Sequence, residues 1–138
     1  MTPRPMRGED DRWAAALNML EVERLSPIDP EGMARLRARA AAALAIDPEA
    51  AFLIAFTADS DYDSPNFLWF RARLARFLYV DRIAVAAPWR RRGAASALYA
   101  AAAARAAARG LPLCCEVNCE PPNPGSDAFH AALGFREV

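Results

Sequence analysis

Residues 88–95, Pro-Trp-Arg-Arg-Arg-Gly-Ala-Ala, bring Arg90, Arg91 and Arg92 together with Gly93 where an alanine-rich helical stretch begins. The first amides of a helix have no internal partner, and the helix dipole favours negative charge at that end. A basic, glycine-bearing turn that opens a helix is therefore an anion site, suited to a phosphate or pyrophosphate. The turn is not a Walker loop, because no Gly-Lys-Ser/Thr follows. It is not a dinucleotide fingerprint either, because it has a single glycine and no acidic residue at the required distance. The plain alternative is an arginine-rich helix start that binds nothing.

Other candidate motifs carry less. Asp59-Ser60-Asp61-Tyr62-Asp63 begins like a calcium loop, but Ser64 stands where glycine is needed and Phe70 where the closing glutamate belongs. It reads as a solvated loop, or as an acidic lip that attracts a cationic amine. Phe67, Trp69 and Phe70 read as core. Cys114 and Cys115 are adjacent and Cys119 makes an odd set. They have neither a disulfide framework nor zinc spacing, so reduced, partly buried thiols are expected and no metal site is assigned.

Composition bounds the partners. The chain has 138 residues, enough for one core. Its 17 basic residues are all arginine and balance 17 acidic ones. A net charge of zero predicts no bulk attraction to nucleic acid or membrane. No apolar run is long enough to span a bilayer, and Met1–Asp10 is polar without a signal core, so a cytoplasmic protein is expected.

These motifs must sit on a small set of elements. Residues 1–10 read as a loose, flexible arm, and 11–138 as a single domain. Apolar spacing predicts a helix over Asp11–Leu25, broken by Ser26-Pro27. Asp29 caps a second helix from Pro30 to about Leu44. The apolar run Ala50–Ala58 predicts a buried strand, 59–65 a loop, and Asn66–Arg76 a short amphipathic helix. Phe77–Ala86 reads as a strand, Gly93–Arg109 as a helix ended by Gly110, and Leu111–Val117 as another strand. A rigid proline loop follows over 121–124. Ser126 caps a helix to Leu133, Gly134 ends it, and Phe135 begins a strand. Alternating strands and helices imply an α/β fold with a mixed sheet and at least one right-handed βαβ crossover.

The spacing Arg90-x-x-Gly93-x-Ala95 resembles the pyrophosphate loop of the GNAT acetyltransferase superfamily. Asn123-x-x-Ser126-x-x-Phe129-His130-x-x-x-Gly134-Phe135 is similar to that family's closing pattern, Asn-x-x-Ala-x-x-Leu-Tyr-x-x-x-Gly-Phe. The strand Asp81–Pro88 looks like the one that precedes the loop. Residues 77–138 carry these likenesses, whereas the first half matches only in layout. The resemblance implies acetyl-CoA as cofactor, bound in a split between neighbouring parallel strands. Backbone groups of Ile83, Ala84 and Val85 would pair with the pantetheine arm. Amides of Arg91–Ala95, including Gly93 and Ala94, would hold the pyrophosphate, with charge from Arg90, Arg91 and Arg92. Asn123 and Ser126 would also face the cofactor.

The implied reaction is acetyl transfer to a primary amine of a small molecule or peptide. A backbone amide near Val85 would serve the oxyanion. Asp81 is the candidate base, four residues before Val85 and so on the same strand face. Its ordinary pKa of ~3.9 is low for that task, and an aspartate paired with an arginine is the structural alternative. Glu116 is the other candidate base. His130 stands where the family has a tyrosine that protonates the leaving thiolate, so it is the candidate acid or else a packing residue. Tyr99 reads as core. The loop between Val117 and Asn123 is longer than the pattern, and the chain stops at Val138. Either the usual final strand is lacking, and the open sheet edge would favour a homodimer, or the chain is a truncated form. Two other functions stay open. One is a non-catalytic acyl-CoA-binding module. The other is an α/β interaction domain with an anion-binding arginine turn.

Overall fold

A computed structural model describes residues 1–21, 25–115 and 130–136. Its centre is a five-stranded sheet in the order β1-β2-β3-β4-β5. The strands are β1 (Arg4–Pro5), β2 (Ala42–Ile46), β3 (Ala51–Thr57), β4 (Leu78–Val85) and β5 (Leu113–Cys115). Neighbours from β1 to β4 are antiparallel, and β4 pairs with β5 in parallel. The helices are α1 (Asp11–Met19), α2 (Pro30–Arg39), α3 (Pro65–Arg73) and α4 (Ala94–Ala108).

The sheet is covered on both faces. Alternate residues of the strands, Phe52, Ile54, Phe56 and Tyr79, pack with Ala14, Met33 and Phe67 of the first three helices. The opposite set, Leu44, Leu53, Leu78 and Val80, packs under Leu98, Tyr99, Ala102 and Ala106 of α4. Small residues along α4 let its backbone approach the sheet closely. Each large aliphatic or aromatic side chain fully buried here contributes roughly 1.5–3 kcal/mol. Mixed α/β architecture agrees with the sequence reading.

Helix starts follow their capping chemistry. Asp29 Oδ1 accepts from Gly32 N at 2.7 Å with Pro30 as the first helical residue, and Ser64 Oγ accepts from Phe67 N at 3.2 Å with Pro65 following. Helix α4 ends as expected: Gly110 takes φ +66°, Gly110 N donates to Ala107 O and Leu111 N to Ala106 O.

Two segments differ from the sequence reading. The second helix does not run to Leu44. It stops at Arg39, where Ala40 turns extended (ψ 141°), and Ala42–Ile46 forms β2, paired along its length with β3. Alanine favours helix intrinsically, but here the strand buries residues on both faces of the sheet, and tertiary burial outweighs propensity. Residues 1–10 are likewise built into the fold. Arg4–Pro5 pairs with Ala45–Leu44, and Asp10 is buried. Helix α1 is also shorter than Asp11–Leu25, and the strand anticipated from Phe135 has no strand character at Phe135–Arg136.

Candidate active site

The arginine turn lies where the sequence puts it. Strand β4 ends at Val85, a 3-10 turn covers Ala87–Trp89, and α4 opens at Ala94. Arg91 (φ +63°) and Gly93 (φ +87°) both take the left-handed conformation, which folds the chain back into the helix start. Gly93 does so without steric cost. The first intrahelical bond is Ala97 N to Gly93 O, 3.0 Å, and no side chain caps the helix. The amides of Ala94, Ala95 and Ser96 therefore precede the helical ladder. They border a cleft of about 450 Å³, lined also by Val85, Arg90, Arg91 and Gly93. A Cβ built on Gly93 would meet no atom within 4 Å, so the approach to the backbone is open.

The three arginines divide the work unevenly. Arg90 lines the cleft, but its guanidinium pairs with Glu21, beyond α1, and its Nε donates to Val85 O at 3.3 Å. Arg92 lies over the Trp89 ring, 5.2 Å from its centre. Arg91 lines the cleft. Glu21 was invisible as a site residue in the sequence, because its partner is 69 positions away.

Strand β4 offers one flank for a ligand. Its ladder to β3 extends from Leu78 to Val85, with one break in register at Asp81. Its ladder to β5 covers only Leu78–Val80, opposite Leu113–Cys115, among the described residues. Ile83, Ala84 and Val85 thus lie beyond the described β5 pairing and lead directly to the cleft.

Asp81 occupies a β-bulge. Ile54 pairs with Arg82 and Ala55 with Val80, so no β3 residue is opposite Asp81. The extra residue breaks the alternation of side chains. Val80, Ile83 and Val85 pack on the α4 side, while Tyr79 and Ala84 pack on the other. Asp81 joins this second side, where Tyr62 OH donates to Oδ1 at 2.8 Å and Arg82 Nε to Oδ2 at 2.8 Å. The expectation that Asp81 shares a face with Val85 is corrected by the bulge. Arg82, 6% exposed, also donates to Asn18 Oδ1 at 3.0 Å, and Asn18 Nδ2 donates to Ser26 O at 2.8 Å. Burial and the neighbouring Asp81 carboxylate push the Tyr62 hydroxyl up to about 12. Tyr62, Asn18 and Arg82 are members of this network that sequence reasoning did not find. Adjacent opposite charges on a strand normally face apart, and only the bulge turns Asp81 and Arg82 the same way.

His130 lies against α4. Its Nε2 is 2.9 Å from Tyr99 OH, and the rings meet edge to face at 5.4 Å. Phe135 closes the corner, 5.5 Å from Tyr99 and 5.7 Å from His130. The short helix ends as the sequence indicates. Gly134 has φ +92°, with Gly134 N bonded to Ala131 O and Phe135 N to His130 O. Tyr99 is 4% exposed, the core residue expected. Glu116, Asn123 and Ser126 lie outside the described residues.

The chemistry of the cleft fits a coenzyme pyrophosphate: backbone donors at an uncapped helix start, a side-chain-free approach at Gly93, and guanidinium charge. Residues 18–135 match the family model described as Acetyltransferase (GNAT) family. The fold is similar to the aminoglycoside 6'-N-acetyltransferase AAC(6')-IG from Acinetobacter haemolyticus, with TM-score 0.71 and 21% identity over 100% of this chain and 92% of that one. It is similar to the aminoglycoside N-acetyltransferase AAC(6')-Iy in complex with CoA, with TM-score 0.69 and 20% identity over 98% and 91% of the two chains. A ribosomal-protein-alanine N-acetyltransferase from Brucella melitensis biovar Abortus 2308 gives TM-score 0.64 and 23% identity over 99% and 90%. No curated protein matches the sequence. At these identities the structural likeness is one of fold, and the sequence match over residues 18–135 is what establishes that the chain belongs to the GNAT family of acetyltransferases, enzymes that draw on acetyl-CoA.

Proposed function

We propose that this enzyme transfers acetyl from acetyl-CoA to a primary amine of a small molecule or peptide, with the cofactor's pyrophosphate at Gly93, Ala94 and Ala95. The observation that carries the reading is the cleft at the start of α4, continuous with the β4 flank at Ile83–Val85. When bound, acetyl-CoA supplies a thioester whose acetyl group is open to attack by an amine. The chain's residues do the rest. The amides of Ala94 and Ala95 and the Arg91 guanidinium bind anionic oxygens. Backbone groups of Ile83–Val85 orient the amide-bearing arm as an added strand would. Asn123 and Ser126 keep the cofactor roles that the sequence pattern gives them.

His130 is the proposed acid at the departing sulfur. A neutral imidazole N–H is too weak an acid to part with its proton, so in that form His130 hydrogen-bonds the thiolate as it leaves, and the imidazolium is the form that transfers a proton. For Asp81 the geometry supports the structural alternative. Both its oxygens accept hydrogen bonds, one from a buried guanidinium, so the carboxylate is already engaged within the fold. Glu116, next after β5, then takes the role of candidate base.

Calorimetry with CoA and thiol release from acetyl-CoA across an amine panel test the reading together. Binding with turnover is expected. Binding without turnover across the panel would favour the acyl-CoA-binding module, and no binding at all the plain interaction domain. The His130→Gln variant should lower kcat by about 10- to 100-fold and leave the KM for acetyl-CoA nearly unchanged.

A further inference from the structure

We propose that Tyr99 is a positioning residue for the departure of the thiolate: its hydroxyl donates to His130 Nε2, so that the neutral imidazole carries its proton on Nδ1 and offers that N–H as a hydrogen bond to the leaving sulfur. The inference rests on the reading of His130 given above, but its first test does not. The contact is 2.9 Å, inside hydrogen-bond range, and the edge-on ring geometry holds both groups in place. The corner is rigid on each side. Tyr99 sits on the buried stripe of α4, and His130 begins the turn that Gly134 closes, with Phe135 packed on both rings.

Donor and acceptor follow from the chemistry of the pair. A phenol is a good donor and a weak acceptor, because its oxygen lone pair is delocalised into the ring. A neutral imidazole offers one strongly basic nitrogen. The favoured arrangement is therefore O–H to nitrogen. Burial, and then the charge and hydrogen bond of Cys115 on β5, hold the Tyr99 hydroxyl well above its ordinary range, so it keeps its proton throughout neutral pH. A neutral thiol sulfur is a weak acceptor, which leaves the imidazole nitrogen as the stronger acceptor for that proton. The hydrogen bond made by one imidazole nitrogen fixes which form the ring adopts at the other. A family tyrosine at position 130 would need no such partner, because its one hydroxyl is the only proton it can give. Histidine has two nitrogens, and replacing tyrosine by histidine creates the need for a residue that chooses between them. Tyr99 supplies that choice.

His130 is the sole histidine of the chain, so its ring can be observed without ambiguity. Nitrogen-15 NMR of the histidine-labelled protein should show a bare, pyridine-like Nε2 and a protonated Nδ1 at pH above the imidazole's titration. In Tyr99→Phe, which keeps the ring packing, the spectrum should shift toward the Nε2–H form that free imidazole side chains prefer. An Nε2–H ring in the unaltered protein overturns the proposal, and this measurement needs no variant to fold. Equal spectra for the two proteins overturn it as well. In turnover, Tyr99→Phe should lower kcat about tenfold with the KM for acetyl-CoA unchanged. If His130→Gln leaves kcat intact while the nitrogen shifts behave as expected, the acid reading fails and the positioning contact stands.

Discussion

At the scale of single residues, Asp81 and Gly93 make opposite demands. Asp81→Asn keeps the shape but leaves Arg82, 6% exposed, without its carboxylate. Breaking a buried pair costs about 3–5 kcal/mol, so this variant should lose a large part of its thermal stability, read by calorimetry. The fraction that stays folded should keep kcat within about threefold and show an unaltered pH profile. A loss of 10²-fold or more in kcat at full stability would restore Asp81 as the base. Gly93→Ala tests the backbone instead. No atom crowds the new methyl, so the cost is the left-handed conformation alone, about 1–2 kcal/mol. If the helix start relaxes to avoid that strain, the cleft amides turn away, and the KM for acetyl-CoA should rise several-fold with kcat little changed. Of these residues, the place of Gly93 was legible, because a glycine that follows three arginines and precedes an alanine-rich run marks a turn into a helix by local sequence alone. The bulge at Asp81 was not. It arises from register between β3 and β4, and an extra residue in one strand leaves no mark in that strand's own sequence.

At the scale of elements, the arginine turn is tied to the end of α1. Arg90 joins Glu21 beyond α1, and its Nε holds Val85 O. The same guanidinium that could serve an anion is partly neutralised, and the carbonyl that could serve a pantetheine amide is partly occupied. Removing the restraint should free both. Glu21→Gln is expected to tighten CoA binding by about two- to fivefold, in keeping with a half-exposed ion pair worth less than about 1 kcal/mol. Calorimetric titration at fixed ionic strength checks it, and unchanged or weaker binding would mean that Glu21 supports the turn and does not restrain it. Elements were legible where punctuation was local: the cap at Asp29, and the glycine stops at Gly110 and Gly134. They were illegible at β2. Ala40–Ile46 holds no glycine or proline to stop a helix. Both faces of β2 are largely buried, so the alternation that marks a strand is absent.

At the scale of the whole molecule, the N-terminal segment is fastened to the sheet by charge. Arg4 donates to Asp10 at 2.8 and 2.9 Å and to Asp47, on the β2–β3 turn, at 2.8 and 2.9 Å. Asp10 also accepts from Arg7 N at 2.7 Å and Trp13 Nε1 at 2.9 Å. The Arg4–Asp47 link crosses 43 positions of sequence, which is why a polar, proline-bearing start reads as a loose arm until the chain is folded. The Arg4 guanidinium, then the donors from Arg7 and Trp13, hold the Asp10 carboxyl well below the usual carboxylate range. Below the ordinary carboxylate pKa of ~3.9, the unfolded chain takes up a proton at Asp10 that the folded chain still refuses. Stability from this group is therefore complete above about pH 4, and it drains away as pH falls toward the lower folded pKa. Asp10→Asn removes the charge and should cost about 2–3 kcal/mol at pH 7. It should also flatten the acid limb, so that its Tm falls less than that of the unaltered protein between pH 6 and pH 3. Parallel Tm curves for the two proteins would mean that other carboxylates set the acid limit. Arg4→Lys should share the neutral-pH loss in part, because one ammonium cannot reproduce a planar fork that spans two carboxylates at once.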